Sequence, residues 1–137
     1  MKRVSFLFFL CLMSLMTTMA QTSTSNTKVT VASPDSCVNF RLFQTNNRWT
    51  FLKLDTRTGI IKHVQYSTEG DAMQYDLNNV PLVTEEEAKP GRFFLYPTEN
   101  TFNFLLLDQI DGRVWQVQWS IEKEYRIIRP IRESLFE

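Results

Sequence analysis

The chain has 137 residues, with 15 Lys+Arg against 15 Asp+Glu, one His, two Cys and 43% hydrophobic residues. That length holds one ordinary domain, and the balanced charge gives no basic footprint for nucleic acid. One His and two Cys supply too few ligands for a zinc site of the common type, while 13% aromatics argue for a packed core rather than disorder.

Lys2 and Arg3 precede an almost unbroken apolar run from Val4 to Met16, and Thr18 and Ala20 place small residues where a signal peptidase reads. This three-part pattern predicts a secretory signal peptide over 1–20. The run is shorter than the ~20 residues a spanning helix needs, so no transmembrane segment is expected after cleavage. Removing Lys2 and Arg3 takes the 15 basic residues to 13 against 15 acidic ones, a net charge of −2. Cys11 leaves with the signal, and Cys37 alone remains. A lone Cys cannot bridge internally even in an oxidising compartment, so Cys37 reads as a small residue tucked into the start of the fold. The expected destination is the periplasm or the exterior.

Residues 21–36 are rich in Ser and Thr and carry only Val29 and Val31 as large aliphatics. They cannot bury enough apolar surface to offset ordering entropy and read as a flexible tether, with an edge strand possible over 28–31. A single β domain is then expected over 37–137.

That domain is a tandem duplication. Residues 40–67 align without gaps with 93–120, and 12 of the 28 positions are identical, from Phe40/Phe93 through Leu54/Leu107, Asp55/Asp108 and Gly59/Gly112 to Ser67/Ser120. A repeat of this length must be settled before any fold assignment. Repeat 1 covers about 37–83 and repeat 2 about 92–137. Val80-Pro81-Leu82 and Arg129-Pro130-Ile131 look like a matching continuation. Between the repeats, Thr84 followed by Glu87 is a capping-box signature and Pro90-Gly91 a stop, which predicts one or two helical turns. The Glu85–Glu87 run reads as a solvated face.

Within each repeat, residues 49–55 and 60–67 are aromatic-rich and β-branched segments on either side of a turn that opens with Asp55 and closes with Gly59. Asp108 and Gly112 stand at the same places in repeat 2. Asp accepts backbone N–H groups and Gly takes positive φ, so these four residues read as structural turn residues. The second strand alternates. Val64 and Tyr66, with Trp115, Val117 and Trp119, form an apolar face; His63, Gln65 and Ser67, with Gln116, Gln118 and Ser120, form a polar one. The first strand is apolar on both faces, and residues 40–43 and 93–96 read as a third strand. Each meander is too small to bury a core alone. The expected fold is all-β: two tandem antiparallel meanders packed as one pseudo-symmetric sandwich or barrel. Face-to-face packing would bring Trp49, Tyr66, Phe102 and Trp119 together near a two-fold axis.

The phrase from Phe51 to Gly59, with Trp115 after the second turn, is similar to the repeat of quinoprotein-like β-propellers, which carry a Leu-Asp-x-x-Thr-Gly hairpin and then an apolar strand with a Trp. The similarity spans about ten residues per copy. Two copies cannot close a propeller of about four or more blades, so no quinone or other cofactor is carried over. The longer pattern, from Leu42 and Thr45 through Leu54-Asp55 to Val64-Gln65-Tyr66-Ser67, resembles modules of small uncharacterised exported proteins of Bacteroidetes-type bacteria. It covers most of the mature chain and implies an envelope or secreted setting without bringing an activity. Asp111 stands in the second turn where the first has Thr58.

An enzyme needs convergent titratable groups. His63 is the only histidine, Gln116 replaces it in repeat 2, and no nucleophile elbow, P-loop, zinc-protease or calcium-loop spacing occurs. A non-enzymatic binding or interaction module of the cell envelope is therefore expected, with an envelope protein or a glycan as partner. Its candidate ligand surface is Gln65, Tyr66, Trp115, Gln118 and Trp119, where polar stripes flank aromatics as in carbohydrate-binding modules. A small hydrolase using His63 is the remaining alternative.

Overall fold

The computed structural model describes residues 37–134, so the predicted signal peptide, Cys11, the tether and the last three residues lie outside the described residues. The described residues belong to one compact unit, Ala32–Glu137. Eight strands follow in order: β1 Phe40–Gln44, β2 Thr50–Asp55, β3 Ile61–Gln65, β4 Met73–Asn78, β5 Phe93–Pro97, β6 Asn103–Asp108, β7 Val114–Gln118 and β8 Ile127–Ile131. They form two four-stranded antiparallel meanders, β1-β2-β3-β4 and β5-β6-β7-β8. The protein is all-β and the two sheets pack as a sandwich without closing into a barrel. The linker makes a single turn, with the Thr84 N–H donating to Glu87 Oε2 at 3.0 Å and the Ala88 N–H to Thr84 O at 3.1 Å; a 3-10 turn spans Lys123–Tyr125. Among the described residues no helix is long and apolar enough to cross a membrane.

The duplication extends to the hydrogen bonds. Phe40 pairs with Asp55 and Phe93 with Asp108; Thr50 pairs with Gln65 and Asn103 with Gln118. The Gly59 N–H donates to Asp55 O at 3.0 Å and the Gly112 N–H to Asp108 O at 2.8 Å. The fourth strands correspond through Tyr75, opposite His63, and Arg129, opposite Gln116. The Val80-Pro81-Leu82 match suggested by sequence does not hold, because Val80 to Leu82 have left the sheet and turned into the linker.

What the repeats do not share is the face they bury. On each sheet we call front the side that carries Leu52, Leu54, Ile61 and His63, or in repeat 2 Leu105, Leu107, Val114 and Gln116. The back carries Phe51, Lys53, Lys62, Val64 and Tyr66, or Phe104, Leu106, Trp115, Val117 and Trp119. These sets follow from the strand registers. Sheet 1 buries its front and sheet 2 its back, and the two buried sets form one core. Phe94, from the other side of edge strand β5, joins that core with its ring edge-on to Phe43 at 5.1 Å.

The packing is thus front-to-back. The four aromatics expected at a two-fold axis instead pair within their own sheets, Trp49 with Tyr66 and Phe102 with Trp119, both at 5.2 Å between ring centres. The polar-face reading of β3 is also corrected. His63 is fully buried, while Tyr66 is 42% exposed, because the first sheet turns its other side to the partner.

The two sheets are joined at the first hairpin turn. Buried Thr56 hydrogen-bonds through its hydroxyl to Val38 O, accepts the Gly91 N–H at 3.0 Å, and through its carbonyl accepts the Phe93 N–H at 2.7 Å. The Leu82 N–H donates to Thr58 O at 2.8 Å, and Asn78 Nδ2 donates to Gly59 O at 3.2 Å. Cys37 is exposed rather than tucked in, since it precedes the point at which β1 enters the sheet.

Gly59 and Gly112 both have positive φ, near +77° and +76°. A Cβ on Gly59 would stand 2.8 Å from Leu82 Cδ1, whereas one on Gly112 would meet nothing within 4 Å. Gly112→Ala is expected to cost about 1–2 kcal/mol from backbone strain alone. Gly59→Ala should cost at least about 1 kcal/mol more, because Leu82 must also move. Urea unfolding of the two variants checks the order; equal losses would refute the linker contact.

Candidate interaction surface

Trp115 and Trp119 were expected on a ligand surface, but they are only 7% and 2% exposed and belong to the inter-sheet core. The Trp119 indole N–H donates to Thr101 O at 3.0 Å, which satisfies the one polar atom that burial would otherwise strand. Gln65 is half-buried on the front edge of sheet 1. Gln118 lies on the front of sheet 2 and donates to Tyr125 O at 3.1 Å. Tyr66 is on the back of sheet 1. The five residues therefore do not converge.

The side chains that do share one exposed surface are on the back of sheet 1. Phe40 and Leu42, on β1, are 55% and 58% exposed, and Phe51, Val64 and Tyr66 lie farther along the same face, past Lys53 and Lys62. Cations frame the aromatics. The Arg48 guanidinium stands 4.5 Å over Trp49, and Arg57 and Lys53 approach the Phe40 ring at 5.6 Å and 5.9 Å. Sequence reasoning passed over Phe40 and Leu42 as ordinary strand residues. The signal available was the substitution of Lys53 and Lys62 for Leu106 and Trp115, which marks this side of repeat 1 as turned to water.

The turn carboxylates are occupied by structure. Asp55 Oδ1 accepts the Arg57 backbone N–H at 3.0 Å, and the two side chains make a forked ion pair. Asp108, fully buried, accepts the Ile110 and Asp111 N–H groups and the guanidinium groups of buried Arg92 and exposed Arg113. Burial works to raise its pKa, but Arg92, the two backbone donors and Arg113 outweigh it and hold the carboxyl below the usual range. Arg92, which stands where repeat 1 has Asn39, carries no motif that marks it in the sequence.

His63 faces Trp119 edge-on at 5.5 Å and Tyr75 at 5.6 Å, and neither ring nitrogen has a hydrogen-bond partner in good geometry. Burial first, and the Arg126 charge in addition, push its pKa down against a weaker opposing influence of the Ser120 backbone. The ring is a core residue whose polar neighbour is the Ser120 backbone, with no side chain hydrogen-bonded to either nitrogen. Among the described residues no three His, Cys, Asp or Glu side chains are grouped to hold a metal ion. Comparison with protein families, curated proteins and solved structures found no match to this chain.

Two outcomes follow from these burials. Unfolded His63 takes a proton near pH ~6.5, and the folded ring does so only at lower pH. Stability is therefore full above that pH and falls below it, by up to about 1.4 kcal/mol per pH unit, until the folded ring also titrates. Denaturation curves between pH 8 and 5 should show this slope, and His63→Leu should remove it; an unchanged slope in the variant would place its source elsewhere. Asp108→Asn, which leaves Arg92 buried with its main charge partner lost, should cost about 3–5 kcal/mol. Asp55→Asn, whose partner Arg57 reaches water, should cost no more than about 2 kcal/mol.

Proposed function

We propose that the chain is an exported, non-enzymatic interaction module of the cell envelope that binds its partner through the outer sheet faces. Export rests on the Lys2-Arg3 start, the apolar run to Met16 and the small residues Thr18 and Ala20. The observation that carries the binding role is the back of sheet 1. It keeps Phe40, Leu42 and Tyr66 in water on the side that the duplicate sheet buries. Exposed apolar side chains gathered on one sheet face mark an interaction site, and Arg48, Arg57 and Lys53 on the same face add orientation.

A protein partner is favoured over a glycan. A sugar platform needs accessible, flat aromatic surface, whereas Trp115 and Trp119 are interior and the Trp49 and Tyr66 rings are tilted by 57°. Against catalysis stands the state of the titratable groups: His63 is shut into the core, and Asp55 and Asp108 are tied to arginines and turn amides.

The test is a Phe40→Ser/Leu42→Ser chain expressed in its native host beside the wild type. Both chains should be recovered from the envelope or medium without residues 1–20, and with stabilities within about 1 kcal/mol of each other. The variant should retain less than a tenth of the wild-type association with protein partners, its own chain included, and a glycan array should stay blank for both. Cytoplasmic retention would overturn the export reading, and undiminished association would overturn the assigned surface.

A further inference from the structure

The internal interface is heterologous: the front of one sheet packs on the back of its duplicate. Such an arrangement leaves the complementary pair of faces, the back of sheet 1 and the front of sheet 2, at opposite ends of the chain. Because the sheets are duplicates, these two ends are the same kinds of surface that already fit together inside the molecule. We infer that the two ends bind each other between copies of the chain, so that the protein self-associates head to tail through a repetition of its own internal interface. This rests on the reading of the outer faces as binding surfaces and names their partner.

The side chains at the ends support this occupant. On the back of sheet 1, Phe51, Val64 and Tyr66 hold the positions of buried Phe104, Val117 and Trp119. On the front of sheet 2, Leu105, Leu107 and Val114 hold those of buried Leu52, Leu54 and Ile61. All six are apolar or aromatic although none is buried, whereas a terminal sheet that only caps a stack needs a polar outer face.

The polar differences are also matched. Inside the chain, Tyr75 on the front of β4 faces the sheet whose β8 carries Ile128 and Pro130 on its back. The equivalents at the ends are Arg129 on the front of β8, and Gln74 and Asp76 on the back of β4. Repeating the stacking sets Arg129 of one copy over Asp76 of the next, and Gln116, in the place of His63, over Tyr66, in the place of Trp119. Lys53 and Lys62, in place of Leu106 and Trp115, make the contact between chains weaker than the one within.

Heterologous contacts close into rings or run on as filaments. Radial stacks of four-stranded sheets close at about four to eight sheets, which would take roughly two to four copies of this chain.

The test is sedimentation of the full chain, recovered after whatever processing its host performs, at concentrations from micromolar to near millimolar. The wild type should form species larger than one chain. Tyr66→Glu blocks one end and Leu105→Lys the other, so each variant alone should be monomeric, and an equimolar mixture should form a one-to-one complex through the remaining intact faces. Lys53→Leu, which restores the residue found in the buried duplicate, should tighten self-association by about tenfold or more; this gain cannot be mimicked by a folding defect. A wild type and Lys53→Leu chain that both stay monomeric would overturn the proposal. So would self-pairing of like faces, seen as one end variant still dimerising alone while the mixture forms nothing new. If the chain is monomeric yet the Phe40/Leu42 variant still loses binding to another envelope protein, the head-to-tail inference falls and the broader binding role stands.

Discussion

The structure depends on one geometric choice, the stacking of the front of sheet 1 on the back of sheet 2. A meander of four short strands has too little interior to be stable alone, so each repeat must borrow a face from the other. Two-fold packing would let both use the same face and would bury equivalent residues. Front-to-back packing makes equivalent residues inequivalent. It puts His63 in the core while Gln116 stays at the surface, and Trp119 in the core while Tyr66 meets solvent. The imidazole without partners, the exposed tyrosine and the pair of lysines on the back of β2 and β3 all derive from this single choice.

The chain path between the sheets is shaped by the same constraint. β4 ends at one edge of sheet 1, and β5 must begin beside the opposite edge for the two meanders to run in the same sense. The linker therefore crosses the hairpin-turn end of sheet 1, and its backbone needs partners on the way. Thr58, Gly59 and Thr56 supply carbonyls and a hydroxyl to Leu82, Asn78, Gly91 and Phe93. The linker ends in Arg92, whose buried guanidinium is met by Asp108, the counterpart of Asp55, which repeat 1 pairs with the far more exposed Arg57. One turn residue thus performs a local task in the first copy and a long-range one in the second.

Much of this was legible in the sequence. The ungapped identities from Phe40 to Ser67 located both repeats, and the Asp and Gly at either end of each turn located the hairpins, because turn chemistry is local and depends on few residues. Strand positions followed from period-two alternation. Which face is buried was not legible in β2 and β6, where both sides are apolar, and it was misread in β3. There His63 looked polar and Tyr66 apolar, but the side that carries Tyr66 also carries Lys62, and the side with His63 carries Ile61. A histidine's polarity costs less than a lysine's in a core, since the imidazole can be buried neutral. The inversion is written in the differences between the copies, at Lys53/Leu106 and Lys62/Trp115.

The same comparison bears on how the molecule meets others, by its faces or by its edges. A sheet edge recruits strands when its N–H and C=O groups are free, yet three of the four outer strands carry residues that resist that. β8 carries Pro130, which has no N–H to offer, and β4 carries Asp76 in an ion pair with Lys62 at 2.7 Å. On β5, Pro97 occupies the last position. The faces carry the opposite pattern, with Phe40, Leu42 and Tyr66 at one end of the stack and Leu105, 38% exposed, at the other. A chain whose edges mostly discourage strand addition while its faces keep exposed apolar side chains offers those faces for stacking. In a tandem duplicate packed front to back, the surface that fits such a face best is the one that each repeat already presents to the other.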